Sequence, residues 1–201
     1  MRTALLGASG LVGRTMLAIL ERQDWLTGPP LLLTSARSAG QSLPFRGDVL
    51  ACQDVAAADL SGVRLALFSA GAAASREWAP VFVERGAWVV DNSSAWRAAA
   101  VAPLVVPEVN GELLDGAAPG VVANPNCSTI QIALPCAALD RALGLREVHV
   151  TTLQAVSGAG QKGHDELAAQ AGDLSCGERA GAGAAGAAFP RRIAANAIPA
   201  I

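Results

Sequence analysis

Arg2-Thr3-Ala4-Leu5-Leu6-Gly7-Ala8-Ser9-Gly10-Leu11-Val12-Gly13-Arg14 decides the fold of this chain. Residues 2–6 form a short apolar run of strand length, and residues 11–22 repeat apolar side chains at helical spacing, with Leu11, Val12, Met16, Ile19 and Leu20 on the face expected to be buried. Three glycines at G-x-x-G-x-x-G spacing join the two. In such a strand–turn–helix, one glycine permits the tight turn, one lets a diphosphate approach the backbone, and one lets helix and strand pack closely. The helix starting near Gly10 offers unpaired N–H groups and the positive end of its dipole to an anion. Ser9, Gly10, Leu11 and Val12 are therefore expected to hold the pyrophosphate of a dinucleotide. The spacing is a variant of the commoner G-x-G-x-x-G, so the strand before it and the amphipathic helix after it carry the assignment.

The same alternation continues outward. Strands are expected at 30–34, 64–69 and 86–91, and a helix at 73–85. The runs 65–68 and 87–90 are nearly all apolar, as strands covered on both faces must be. This pattern predicts an α/β fold, a doubly wound parallel-sheet Rossmann domain over 1–125. Prolines at 103, 107, 119 and 125 punctuate its far edge, and a second domain is expected over 126–201. That domain should open with a helix from Cys127 or Ser128 to about Leu143, kinked near Pro135, followed by a β-rich stretch at 146–156 and a helix over His164–Gln170. The Gly/Ala-rich run 177–188 reads as a flexible loop.

The end of the second strand should select the dinucleotide. An NAD site would place Asp or Glu there for the ribose 2′-hydroxyl. This chain has Leu33-Thr34-Ser35-Ala36-Arg37-Ser38, without a carboxylate and with an arginine flanked by hydroxyls. A guanidinium grips phosphate through several hydrogen bonds, so Arg37 and Ser38 are expected to bind the 2′-phosphate of NADP. Taken singly, Arg37 reads equally well as a surface arginine.

A second signal is Asn124-Pro125-Asn126-Cys127-Ser128-Thr129-Ile130, which puts a cysteine at an expected helix start. That position raises the thiolate fraction and suits covalent catalysis through a thioester. Backbone N–H groups there, with the Asn126 amide, suit an oxyanion. A lone cysteine is more often a small buried hydrophobe, the role expected of Cys52, Cys136 and Cys176. The four cysteines form no C-x-x-C pair, so neither a disulfide framework nor a metal site is expected.

Composition bounds the partners. A net charge of −2 with dispersed arginines gives no basic face for nucleic acid or anionic lipid. With 52% hydrophobic residues the chain can bury a sizeable core, yet no run reaches the roughly 18–20 apolar residues of a membrane span. The N-terminus enters the glycine turn at once, so no signal peptide is expected and the protein is expected to be cytoplasmic, acting on small molecules.

The motifs above, with Phe68-Ser69-Ala70-Gly71, Asp91-Asn92-Ser93-Ser94-Ala95-Trp96-Arg97, Val105-Val106-Pro107-Glu108-Val109-Asn110, Gln154-Ala155-Val156-Ser157-Gly158-Ala159-Gly160 and Ile193-Ala194-Ala195-Asn196-Ala197-Ile198-Pro199, run in order through a chain that resembles the aspartate-semialdehyde dehydrogenase family. The resemblance implies NADPH-dependent reduction of L-aspartyl 4-phosphate to L-aspartate 4-semialdehyde and phosphate, on the route to lysine, threonine and methionine. It implies that Cys127 is the acyl-thioester nucleophile, that Gln154 orients the acyl group, that Arg97 and Asn126 hold the leaving phosphate, and that Ser157 and Gly158 approach the nicotinamide. It also implies a homodimer if the second domain is completed.

Members of that family extend past the region matching Ile201, where they supply an arginine for the substrate carboxylate, an acid–base histidine and a closing helix. His149 and His164 lie outside that histidine's context. The resemblance thus implies that residues 126–201 are part of a catalytic and dimerisation domain of α+β type, and that the chain alone turns over little, since general acid–base help is worth about 10²–10⁴ in rate. The alternative is a non-catalytic remnant that binds nucleotide or a partner subunit.

Overall fold

The computed structural model describes residues 1–174, 186 and 188–199, which fall in two compact units, Met1–Val148 and His149–Ile201. Cys176 and nearly all of the 177–188 run lie outside the described residues.

In chain order the first unit contains β1 (Arg2–Leu6), α1 (Leu11–Leu20), β2 (Leu31–Thr34), β3 (Ser42–Phe45), β4 (Asp48–Ala51), β5 (Gln53–Asp54), β6 (Val63–Phe68), α2 (Ala72–Glu84), β7 (Trp88–Asp91), α3 (Pro107–Asn110), β8 (Val121–Ala123) and α4 (Cys127–Leu143). Six strands pair, all parallel, in the order β5-β2-β1-β6-β7-β8. The doubly wound parallel sheet expected from the alternation is confirmed. The proline-punctuated segment after residue 102 still contributes β8 to the same sheet.

Period-two alternation splits the buried residues between the two faces. Ala4, Leu6, Leu33, Ala66, Phe68 and Val89 join Ala79 and Phe82 of α2 in one cluster, where Phe68 and Phe82 meet edge-to-face at 5.3 Å. Leu5 and Leu32 point the other way, into a cluster with Leu17 and Leu20 of α1 and Leu43, Phe45 and Cys52 of the hairpin region. The buried residues of α1 are Gly13, Leu17 and Leu20, with Met16 packed beside them, so the expected face is met at Leu20 and Met16 and corrected at Val12 and Ile19. Val12 and Ile19 are exposed, because α1 settles on the turn after β1 through Gly13, a residue that an apolar count overlooks.

β3 and β4 form an antiparallel hairpin turned by Arg46 and Gly47, both at positive φ. The Arg46 guanidinium reaches back to α1 and donates to the carbonyls of Glu21 (3.0 Å), Leu26 (2.8 Å) and Gln23 (2.7 Å), capping the helix end and stapling the hairpin to it.

The second unit carries α5 (Gly160–Leu174), preceded by the tight turn Val156–Ala159. The helix is longer at both ends than the expected His164–Gln170. Gln170 Oε1 accepts the Ile193 and Ala194 N–H groups, and Glu166 accepts that of Ala188. The β-rich stretch expected at 146–156 is corrected: residues 145–155 form no strand. Alternating β-branched residues express a preference for a pleated surface, realised only with a partner strand, and among the described residues none pairs with this stretch. Leu153 is 91% exposed as a result.

Candidate functional site

The strand order reverses between β1 and β6, and the crevice beyond the carboxyl ends of strands at such a switch point is where an open α/β sheet takes a ligand. Two loops line it, residues 7–10 after β1 and 69–71 after β6. Gly7 adopts φ +88°, and a Cβ there would stand 2.5 Å from the Ser69 carbonyl oxygen and 2.9 Å from the Ala70 nitrogen. A Cβ on Gly13 would collide with the Gly7 carbonyl and lie 2.8 Å from its carbon. Gly7 thus brings the two loops together and Gly13 lets α1 settle on the turn. Gly10 is the N-cap of α1 and supplies no side chain to it, so the leading N–H groups of Leu11 and Val12 face the crevice end without an intrahelical partner. This cradle fits a diphosphate.

β2 ends at Thr34, and the turn Ala36–Ser38 follows it at once. Arg37 is exposed and Ser38 half-buried. The glycine turn leans on the same strand end, since the Gly7 and Ala8 N–H groups both donate to Leu33 O at 2.8 and 3.3 Å. One carboxylate lies nearby that the reading of β2 alone overlooks. Asp54 of β5 pairs in register with Thr34, and its side chain accepts the Ala56 N–H at 3.2 Å.

The thiol site is built at the ends of β7 and β8. Cys127 is the first residue of α4 and is exposed. Asn126 is the N-cap, and its Oδ1 accepts from the Ser128 N–H (3.1 Å), the Ser128 hydroxyl (2.8 Å) and the Cys127 thiol (3.6 Å). With Oδ1 committed to the helix, the Nδ2 end of Asn126 is the end free to turn outward. Arg97 joins this loop to the one after β7. Its Nε donates to Asn124 O at 3.0 Å and its Nη2 to Asn92 O at 3.1 Å. The two asparagines clasp each other, Asn124 Nδ2 donating to Asn92 Oδ1 at 2.7 Å. Arg97, Asn126 and Cys127 are therefore brought into one hydrogen-bonded corner.

The supports of that corner were not singled out from sequence. Asp91 is fully buried at the end of β7; its Oδ2 accepts the Ser93 hydroxyl at 2.6 Å, while Oδ1 has no partner among the described residues. Ser93 in turn accepts the Ala95 N–H, and Trp96 Nε1 donates to the buried Ser75 of α2 at 2.8 Å. The loop carrying Arg97 is thereby fixed from both ends. The available signal was the polar run Asp91-Asn92-Ser93-Ser94 directly after an apolar strand.

Residues 2–117 match the family model described as semialdehyde dehydrogenase, NAD binding domain, and residues 136–201 that described as semialdehyde dehydrogenase, dimerisation domain. The chain belongs to the semialdehyde dehydrogenase family. It is similar to aspartate-semialdehyde dehydrogenase 2 of Vibrio cholerae, 43% identical over 199 residues covering 98% of this chain and 58% of the relative. A relative from Aquifex aeolicus, named aspartate-semialdehyde dehydrogenase, is 42% identical over 200 residues, with 98% and 58% covered. The crystal structure of the Vibrio cholerae enzyme II complexed with ASA matches with a TM-score of 0.90 at 41% identity, over 100% of this chain and 59% of that one. A Candida albicans aspartate semialdehyde dehydrogenase with NADP matches with a TM-score of 0.62 at 26% identity, over 72% and 48%. The chain thus spans about 58% of the length of the curated relatives it matches.

Gln154, Ser157 and Gly158 lie in the second unit, all exposed. Gln154 Nε2 donates to Thr152 Oγ1 at 3.3 Å, and Ser157 and Gly158 sit in the turn that leads into α5. His164 is exposed beside Asp165 at 4.0 Å. Cys52 is buried and Cys136 half-buried, and burial pushes the Cys52 thiol above its ordinary range, a shift the Arg14 charge opposes. Among the described residues no three His, Cys, Asp or Glu side chains are grouped as a metal would need, and no helix is long and apolar enough to cross a membrane.

Proposed function

We propose that the chain supplies the cofactor site and the thiol for NADPH-dependent reduction of L-aspartyl 4-phosphate to L-aspartate 4-semialdehyde and phosphate through a thioester on Cys127, a family-level reading in which full turnover also needs the acid–base histidine that family members carry beyond the matched region. The observation that carries this proposal is the corner in which Cys127 is exposed at a helix start, its N-cap amide oxygen is already spent, and Arg97 is tied to the same loop.

The Cys127 thiolate attacks the C4 carbonyl carbon of the acyl phosphate. The C–O bond to phosphorus's oxygen breaks, its electron pair leaves on inorganic phosphate, and the aspartyl group stays on sulfur. Backbone N–H groups at the start of α4 and the Asn126 Nδ2 face the oxyanion. Arg97 has two N–H groups committed to carbonyls and the rest of its fork left for the departing phosphate, with Asn126 beside it. Gln154 orients the acyl group and Ser157 and Gly158 approach the nicotinamide, roles that rest on the family resemblance. Ser9, Gly10, Leu11 and Val12 would hold the pyrophosphate, and Arg37 with Ser38 the 2′-phosphate. The reduced nicotinamide, when bound, supplies the hydride that takes the thioester carbon to the aldehyde level. A homodimer and a cytoplasmic place belong to the same proposal, supported by the matched dimerisation domain and by the small-molecule chemistry.

The test is the reverse reaction. NADPH formation from aspartate 4-semialdehyde and NADP⁺ should depend on phosphate, should vanish in Cys127→Ser, and should need more phosphate in Arg97→Ala. A rate that survives in Cys127→Ser overturns the thioester; a parent that shows neither a rate nor an acyl adduct on Cys127 favours the non-catalytic alternative.

A further inference from the structure

The first turn of α1 contains no acid, and its one charged side chain is Arg14. Arg14 does not run out along the helix. It folds back over the glycine turn, where Nε donates to the Ser9 carbonyl at 3.0 Å. That turn leans on the end of β2 through the Gly7 and Ala8 bonds to Leu33 O, and Arg37 follows Leu33 by four residues. Arg14 is thus anchored on the glycine turn and Arg37 follows the end of β2, the two segments that the Gly7 and Ala8 bonds to Leu33 O hold together. The chain beyond Arg37 closes the same edge. Gly40 N–H donates to Cys52 O at 2.8 Å, Cys52 N–H donates to Gln41 O at 2.7 Å, and Cys52 lies within reach of the Arg14 charge. Among the described residues neither arginine forms an ion pair.

A phosphomonoester carries a charge of about −1.5 to −2 at neutral pH, more than one guanidinium balances. Among the described residues Arg14 spends only Nε, on Ser9 O, and the Arg37 guanidinium has no hydrogen-bond partner. We infer that Arg14 is a second specificity-determining cation for the adenosine 2′-phosphate, sharing with Arg37 the preference for the phosphorylated dinucleotide. This rests on the NADP assignment proposed above. A carboxylate-free turn on β2 explains tolerance of a 2′-phosphate, whereas two cations held by separate elements explain selection for it, because each loses its anion when the phosphate is absent.

The experiment titrates NADPH and NADH into the parent chain, Arg14→Ala, Arg37→Ala and the double variant, following ligand fluorescence. Arg14→Ala should weaken NADPH about tenfold and leave NADH unchanged, the size expected for one lost charge-assisted contact. The double variant should bind the two nucleotides alike, and Arg14→Lys should recover part of the loss. Unchanged NADH affinity also shows that the turn still folds. Equal weakening of both nucleotides would make Arg14 a clip for Ser9 only, and no weakening of either would remove it from the site; each result overturns the inference. A parent without preference for NADPH overturns the NADP assignment itself, a failure visible before any variant is made.

Discussion

Replacing Gly13 by alanine adds one methyl group where the structure has no room for it. The new Cβ would collide with the Gly7 carbonyl and stand 2.8 Å from Gly7 C and 2.9 Å from Ala8 Cα. All three are backbone atoms, so no side chain can rotate away. Overpacking that forces a backbone shift costs about 1–3 kcal/mol. Alanine inside a helix returns about 0.8–1 kcal/mol of that. The net loss of stability should therefore be about 0–2 kcal/mol. The effect on cofactor binding should be larger in proportion, because the turn that must move is the one aimed at the pyrophosphate. Losing one or two hydrogen bonds to a charged group, at about 1.5–3 kcal/mol each, corresponds to at least tenfold weaker NADPH. Gly28→Ala is the control, since a Cβ there meets nothing within 4 Å. Urea unfolding and fluorescence titration of both variants decide the matter. Gly13→Ala with parental NADPH affinity and stability would refute the close approach of α1 to the turn.

Three further outcomes follow from the same geometry. Arg46→Ala removes the guanidinium bonds that staple the hairpin to α1 and should cost about 2–4 kcal/mol in urea unfolding, with Arg46→Lys recovering little because an ammonium cannot span the separate carbonyls. Limiting iodoacetamide at neutral pH, mapped by mass spectrometry, should label Cys127 first, Cys136 more slowly and Cys52 last; Cys52 is 2% exposed and its raised thiol pKa leaves less thiolate there, so faster labelling of Cys52 would count against this core. Asn124→Ala breaks the clasp with Asn92 and loosens Arg97, so KM for phosphate in the semialdehyde assay should rise several-fold while NADPH affinity holds; loss of both would mean general unfolding of the corner.

The sheet was legible because its strands carry their own signal. β1, β6 and β7 are mostly apolar, with Arg2, Thr3, Arg64 and Asp91 the exceptions, and the glycine turn fixes what joins β1 to α1. The hairpin escaped notice because its turn is Arg46-Gly47, with a non-glycine residue held at φ 50° by bonds to α1 that no local pattern announces. The face of α1 is legible only in part, at Met16 and Leu20, for a related reason: Gly13 is at its centre, and a count of apolar residues gives a glycine no weight. Residues 146–156 show the opposite case, in which the local preference is sound but a strand also needs a neighbour. At the thiol corner, Cys127, Asn126 and Arg97 were each legible from helix position or family resemblance. The Asn92–Asn124 clasp and buried Asp91 were not, because they join segments 32 residues apart and only the parallel pairing of β7 with β8 brings those strand ends together. Arg14 belongs to the same class, its meaning set by the carbonyl it folds back to.

The most direct test of the thioester proposal is to find the acyl group. The chain is incubated with NADP⁺ and aspartate 4-semialdehyde in the absence of phosphate, quenched in acid and digested, and the cysteine peptides are weighed. An aspartyl adduct on the Cys127 peptide, labile to hydroxylamine, removed by phosphate before the quench and absent from Cys127→Ser, is the predicted result. An adduct on Cys52 or Cys136, or one that persists in Cys127→Ser, would contradict the proposed chemistry.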